Sequence, residues 1–306
     1  MKIYQNITEL IGHTPIVALQ SFSDEAKGVN LYGKVEFFNP GGSVKDRLAY
    51  ALIQDALQHK KMTLQSTIIE ASSGNTGIGL AAVGAAMGIN VVIVMPETMS
   101  IERRKIVQAY GATLVLSDGS KGMTGAIEKA KELLETTQDS IMLGQFTNKV
   151  NSNMHYQTTG PEIWKDMDGK IDVFVAGVGT SGTISGVARY LKEHNPEIKV
   201  IAVEPQESPV LSGGIAGPHK LQGIGAGFVP ELYDSALIDE VQTITTIEAY
   251  DAARKLASQE GILTGISSGA AFSAALKIAK REDFQNKNIV VLLPDTGERY
   301  LSTELY

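Results

Sequence analysis

Cysteine is absent from the 306 residues, which excludes disulfides, thiolate zinc sites, iron–sulfur clusters and a cysteine nucleophile. Histidine is scarce. His13, His59, His155, His194 and His219 are scattered without metal-site spacing, so each reads as a surface or packing residue and no metal is expected. Long apolar runs are also missing: residues 71–96 carry no formal charge, but Gly74-Asn75-Thr76-Gly77 and Gly88-Ile89-Asn90 break them into pieces too short to cross a bilayer. Met1-Lys2-Ile3-Tyr4-Gln5-Asn6 lacks the apolar run and small-residue cleavage site of a secretory signal. There is no excess of positive charge. The formal net charge of -7 argues against nucleic acid or an anionic membrane as the main partner. A cytoplasmic location is expected.

The chain has room for about two domains. With 43% hydrophobic and 20% charged residues it has the make-up of a globular enzyme. Apolar runs alternate with helical patterns almost throughout. Strands are expected at 31–37, 67–70, 91–95, 113–116, 173–176, 200–203 and 289–293. Helices are expected at 44–59, 76–86, 101–110, 122–134, 161–166, 183–194, 247–260 and 269–280. Strands without polar alternation, separated by helices, mark parallel sheets covered on both faces. Two α/β lobes follow, with a boundary near 148–153, and the glycine-rich stretch 212–227 has no clear period.

The segment Asn39-Pro40-Gly41-Gly42-Ser43-Val44-Lys45-Asp46-Arg47 runs a turn straight into a helix. Ser43 and Asp46 read as an approximate capping box, so the helix is expected to begin between them. Lys45 then falls in the first turn, where the helix dipole disfavours a cation. Such a lysine is a better amine nucleophile, as Schiff-base chemistry requires, but on these nine residues alone a solvated lysine paired with Asp46 or with a carboxylate nearby is the stronger reading.

Two loops share one plan of strand, small polar residues and helix: Ile68-Ile69-Glu70-Ala71-Ser72-Ser73-Gly74-Asn75-Thr76-Gly77, and Phe174-Val175-Ala176-Gly177-Val178-Gly179-Thr180-Ser181-Gly182-Thr183. In parallel sheets such loops lie at the carboxyl ends of the strands, where ligands bind, and helix-start N–H groups point at anions. The second loop suits a phosphate, although it is neither a Walker loop nor a clean dinucleotide fingerprint, and a structural turn is an equal reading of it alone. The first suits a carboxylate, with Asn75 able to donate and accept. Pyridoxal phosphate meets the three requirements together: an aldehyde for the lysine, a phosphate for one loop and an amino-acid substrate for the other. Two further stretches fit that site, Gly265-Ile266-Ser267-Ser268-Gly269 with a hydroxyl for the pyridine nitrogen and Gly223-Ile224-Gly225-Ala226-Gly227 with backbone flexibility against a ring, although each alone is ambiguous, since Gly/Ser helix starts are common caps.

With Ile11-Gly12-His13-Thr14-Pro15, Met95-Pro96-Glu97-Thr98-Met99-Ser100, Thr159-Gly160-Pro161-Glu162-Ile163-Trp164 and Gly297-Glu298-Arg299-Tyr300-Leu301-Ser302, these segments span nearly the whole chain. Together they resemble the fold type II pyridoxal-phosphate enzymes and, within them, the cysteine synthase (O-acetylserine sulfhydrylase) family. The resemblance implies two open three-layer α/β lobes with mainly parallel sheets, as in tryptophan synthase β. It implies a smaller N-terminal domain of residues 1–12 and 35–148, and a larger cofactor-binding domain of 13–34 and 149–306. Lys45 becomes the Schiff-base lysine and the base acting on the α-proton, and Asn75 bonds the ring 3-hydroxyl. Gly179, Thr180, Ser181, Gly182 and Thr183 hold the phosphate, Gly223 lies against the ring and Ser267 meets the pyridine nitrogen. Ser72, Ser73, Thr76 and Gln145 take the substrate carboxylate. The implied activity replaces the acetate of O-acetyl-L-serine by sulfide, through an aminoacrylate, to give L-cysteine. A homodimer is implied with it, as is a complex with serine acetyltransferase. One local departure exists: many relatives have Pro-Thr-Ser-Gly-Asn where this chain has Ala71-Ser72-Ser73-Gly74-Asn75, which keeps the hydroxyl, loses a methyl and leaves room for a shift in substrate preference.

Cystathionine β-synthase chemistry, joining serine or an activated serine to homocysteine, is the nearest rival, and a serine or threonine dehydratase is a weaker one. Met99-Ser100-Ile101-Glu102-Arg103-Arg104 and Lys121-Gly122-Met123-Thr124-Gly125-Ala126 favour cysteine synthase, and no regulatory domain is expected after Tyr306. Outside this chemistry stand a nucleotide-binding α/β protein and a partner-binding regulator.

Overall fold

Uncharged strand runs cannot leave either face in water, and the chain satisfies them with two helix-covered sheets. The computed structural model describes residues 3–26 and 28–306; the readings made on residues 1, 2 and 27 lie outside the described residues. In chain order the strands are β1 (Ile16–Ala18), β2 (Asn30–Val35), β3 (Thr67–Ala71), β4 (Asn90–Pro96), β5 (Thr113–Ser117), β6 (Ser140–Ile141), β7 (Val173–Gly177), β8 (Lys199–Pro205), β9 (Glu240–Ile244) and β10 (Asn288–Leu293). The helices are α1 (Lys45–Gln58), α2 (Asn75–Met87), α3 (Ile101–Ala109), α4 (Gly122–Thr136), α5 (Val150–Gln157), α6 (Thr159–Asp166), α7 (Gly182–His194), α8 (Thr246–Glu260) and α9 (Ile266–Ala279). The chain divides into a unit of Met1–Ile11 with Asn39–Val150 and a unit of Gly12–Phe38 with Asn151–Tyr306.

The first unit carries a four-stranded parallel sheet in the order β5-β4-β3-β6. Ala126 and Ala130 of α4 pack on Ile69, Ala71 and Val94. Helix α2 carries no charged residue and packs against α1 and β4; a helix buried on most sides needs that composition. From β3 the chain steps outward to β4 and β5, then returns to lay β6 on the other side of β3. The strand order reverses between β3 and β6, and at such a reversal the loops after the two strands diverge and leave a crevice.

The second unit carries a six-stranded sheet in the order β1-β2-β10-β7-β8-β9, parallel except for the antiparallel edge strand β1. Residues 30–35 pair in register with residues 288–293, so an early segment of the chain builds the later sheet. One face is covered by α8 and α9 through Ala249, Leu256, Ala271 and Phe272, and the other by α6 and α7 through Ile163, Ile184, Val187 and Leu191. Here the order reverses between β7 and β10. Among the described residues, no helix is long and apolar enough to cross a membrane.

Four elements escaped the sequence pattern. Strands β1 and β6 have three and two residues, too few to show a period. The edge strand β9, Glu240-Val241-Gln242-Thr243-Ile244, is only partly buried and mostly polar. Helix α5 buries Asn151, Met154 and His155, so its inner face is largely polar. Helix α9 begins at Ile266, three residues before the expected start, which places Ser267 and Ser268 in its first turn.

Candidate active site

The Lys45 turn is built from hydrogen bonds that ordinary capping would not give. Gly42 (φ 81°) closes the turn, its N–H donating to the Asn39 carbonyl at 2.8 Å. The Asp46 carboxylate, 1% exposed, reaches back to accept from Gly41 N–H at 2.5 Å, and Ser43 Oγ accepts from Lys45 N–H at 3.2 Å. The expected Ser43–Asp46 capping box is therefore replaced: helix α1 starts at Lys45 with Val44 as its cap residue, and Asp46 clamps the preceding turn. The cause is the tight Gly41-Gly42 turn, which brings Gly41 N–H into the position a capping residue would occupy; a Cβ on Gly41 would meet Asp46 Oδ1 at 2.7 Å. Lys45, partly exposed, sits between the buried Val44 and Asp46. From α2, Gly79 packs so closely that a Cβ there would lie 2.9 Å from the Lys45 carbonyl oxygen.

The loop after β3 folds on Ser72. Its N–H donates to the Val94 carbonyl at 3.0 Å, and its buried Oγ accepts from Gly77 N–H at 3.0 Å and Gly74 N–H at 3.4 Å. Ser73 is half-buried and has no hydrogen-bond partner among the described residues. Asn75 and Thr76 open α2, where first-turn N–H groups have no helical acceptor. Thr76 Oγ1 donates to Gln145 Oε1 at 2.6 Å, and Arg103 of α3, 4% exposed, donates to Asn75 Oδ1 at 3.4 Å. Beneath the loop, Glu70 accepts from Leu143 N–H at 3.0 Å and Gly144 N–H at 3.3 Å. Burial pushes its carboxyl above the ordinary glutamate value, with those two N–H groups opposing. In the first unit, Ser72 thus ties the loop to the start of α2, Thr76 is bonded to Gln145, and Asn75 is bonded to Arg103.

The second unit joins residues 179–183, Gly223 and Ser267. Ser181 (φ 68°) is the cap residue of α7, and the helix start that follows aims N–H groups outward. A Cβ on Gly179 would stand 2.4 Å from the Gly223 carbonyl oxygen, and one on Gly182 only 1.9 Å from Asn151 Oδ1. A Cβ on Gly223 (φ 94°) would lie 3.6 Å from Ser267 Oγ, so the two face each other. Asn151 Nδ2 donates to Thr180 Oγ1 at 2.9 Å, and His155, fully buried, lies 3.1 Å from Thr183 Oγ1 through Nε2 and 2.8 Å from Thr159 Oγ1 through Nδ1. Ser181 Oγ is buried without a hydrogen-bond partner among the described residues. An orphaned hydroxyl, a glycine-lined backbone and an open helix start on one loop fit a phosphate monoester, and the facing Ser267 fits the heterocycle attached to it.

Glu70, Arg103, Asn151, His155 and Thr159 were not read as part of the site from sequence. Glu70 had a signal, as the only charge in β3. The buried polar face of α5 had none, because burial of Asn and His leaves no hydrophobic period.

Comparison with known proteins gives a consistent result. The sequence profile of the pyridoxal-phosphate dependent enzyme family matches residues 7–295. The chain is 50% identical to cysteine synthase A of Salmonella typhi over 314 aligned residues, covering 100% of this chain and 96% of that protein. Its fold is similar to the crystal structure of cysteine synthase (OASS) from Entamoeba histolytica, with a TM-score of 0.96, 46% identity, and coverage of 100% of this chain and 91% of the other. It is also similar to an O-acetylserine dependent cystathionine beta-synthase from Helicobacter pylori, with a TM-score of 0.93, 41% identity and full coverage of both chains.

Proposed function

Because the chain belongs to the pyridoxal-phosphate dependent enzymes, and within them to the cysteine synthases, we propose that it exchanges the acetate of O-acetyl-L-serine for sulfide, releasing L-cysteine and acetate. The observation that carries this reading is 50% identity across the full length of the chain. When bound, pyridoxal phosphate supplies an aldehyde that captures amines and a ring that draws electrons from the substrate α-carbon.

The chain's own residues have distinct tasks in this reading. Lys45 would hold the cofactor through its side-chain amine and, when that amine is free, would act as the general base that takes the α-proton and returns it to the same carbon. Residues 179–183 hold the phosphate with the N–H groups of the α7 start and the hydroxyls of Thr180, Ser181 and Thr183. Ser267 meets the pyridine nitrogen with a neutral hydroxyl, which stabilises carbanions less than a carboxylate would and suits a reaction in which acetate takes the electrons promptly. Gly223 leaves room for the ring, and Asn75 bonds its 3-hydroxyl. Ser72, Ser73, Thr76 and Gln145 hold the substrate carboxylate. A homodimer, a complex with serine acetyltransferase and a cytoplasmic location belong to the same proposal, and sizing by light scattering and co-purification test the first two.

The likeness to the Helicobacter pylori cystathionine beta-synthase favours a second reading in which homocysteine is the nucleophile. Product analysis after incubation with O-acetylserine and sulfide, with O-acetylserine and homocysteine, and with no nucleophile separates the readings. Cysteine as the fastest-formed product supports the first, cystathionine the second, and pyruvate formed at the same rate without a nucleophile would point to a dehydratase.

A further inference from the structure

Glu70 is a buried carboxylate to which the proposed chemistry gives no part. It is 4% exposed, and among the described residues no cation stands beside it. Its one oxygen Oε2 accepts from both Leu143 and Gly144 N–H. Burying a carboxylate without a counter-ion is costly, so its position needs a reason.

The strand register supplies one. Strands β3 and β6 pair Thr67 with Ser140 and Ile68 with Ile141, and β6 ends there. The same offset, carried on, sets Glu70 opposite Leu143, where the main chain has already left the ladder. Gly144 (φ 70°) turns the chain, so the successive N–H groups of 143 and 144 converge on one acceptor, the arrangement of an anion-binding nest. The Glu70 side chain supplies the acceptor that the ladder no longer offers. The next residue is Gln145, whose Oε1 takes the Thr76 hydroxyl. The two loops at the strand-order reversal are thus tied at two levels, by Glu70 below and by Thr76–Gln145 above.

We propose that Glu70 is a positioning residue for substrate recognition: it holds the turn that presents the Gln145 amide nitrogen to the substrate carboxylate. This rests on the reading of Gln145 and Thr76 given above. Because both N–H bonds end on one oxygen, an amide oxygen serves as well as a carboxylate. A negative charge under a carboxylate-binding loop opposes binding, so the acceptor and not the charge is what the turn requires.

The test uses the holoenzyme and two variants, Glu70→Ala and Glu70→Gln. KM and kcat are measured for O-acetylserine with sulfide. Affinity for L-serine is read from the absorbance of the bound cofactor, and hydrogen exchange is followed at the amides of 143 and 144. Loss of one charge-assisted hydrogen bond to the substrate predicts that Glu70→Ala raises KM and the L-serine Kd by about 10- to 100-fold, with kcat changing less and the cofactor retained. Glu70→Gln keeps the acceptor and sheds the opposing charge, so it is expected to bind L-serine at least as tightly as the wild type. Wild-type L-serine affinity in Glu70→Ala, or Glu70→Gln as impaired as Glu70→Ala, overturns the proposal. If Glu70→Ala does not fold, exchange in Glu70→Gln decides: protection kept at 143 and 144 supports the proposal, and protection lost overturns it. A wild type that binds L-serine but makes no cysteine refutes the reaction, while the L-serine affinities of the variants still decide the role of Glu70.

Discussion

Gly79→Ala tests whether the packing of α2 on α1 sets the position of Lys45. The added Cβ would lie 2.9 Å from the Lys45 carbonyl oxygen and 3.2 Å from Ala49 Cβ. That is roughly half an ångström inside a relaxed contact of ~3.5 Å. The nearest obstructing atom is the Lys45 backbone oxygen and the next is a Cβ fixed to the same helix, so the first turn of α1 must move as a unit. Overpacking of this kind costs about 1–3 kcal/mol, and replacing a helical glycine by alanine returns about 1 kcal/mol. The net loss is about 0–2 kcal/mol, a fall in Tm of at most several degrees. Activity should suffer more than stability, since misplacing a reacting group by 1 Å costs about 100-fold. A shift of half that predicts a fall in kcat of about 10-fold, with the cofactor still bound. Differential scanning calorimetry, cofactor absorbance and steady-state rates make the comparison. Unchanged kcat with unchanged Tm would show that α2 does not set the position of Lys45, and a collapse of Tm without a folded, cofactor-loaded variant would show that the contact serves stability alone.

Lys45→Ala removes the only base assigned to the α-proton, so turnover should fall by at least about 100-fold; rates near wild type would remove Lys45 from the mechanism. Gly182→Ala places a Cβ 1.9 Å from Asn151 Oδ1 and forces Asn151 off Thr180, so cofactor should be lost on dialysis at concentrations where the wild type keeps it. Burial raises the Glu70 carboxyl pKa, so the folded state binds more protons than the unfolded state between the two values. Its contribution to stability therefore falls as pH rises through that window and is a fixed cost above it. The Tm of Glu70→Gln minus that of the wild type should be positive above the window and shrink as pH falls through it; a difference that grows as pH falls would contradict this.

Much of the fold was legible because the runs at residues 91–95, 173–176 and 289–293 are apolar on both faces, a pattern that parallel sheets require. The Lys45 turn and the two small-residue loops were legible because glycine, serine and threonine cluster there between a strand and a helix. What remained hidden depends on contacts far apart in sequence. Asp46 serves Gly41 instead of Ser43 because a turn geometry set by two glycines decides which N–H is within reach. Glu70 meets Leu143 across a ladder whose partner strand has only two residues, and His155 meets Thr183 from a helix with a polar inner face. No local period encodes such pairings.

Cysteine synthesis on a bound pyridoxal phosphate is read from the absorbance spectrum of the purified protein, recorded alone, after adding O-acetylserine, and again after adding sulfide. The expected result is a yellow protein whose long-wavelength band shifts on O-acetylserine with release of acetate, and returns on sulfide with one L-cysteine formed per site. A colourless protein, or a spectrum that O-acetylserine leaves unchanged or sulfide does not restore, would contradict it.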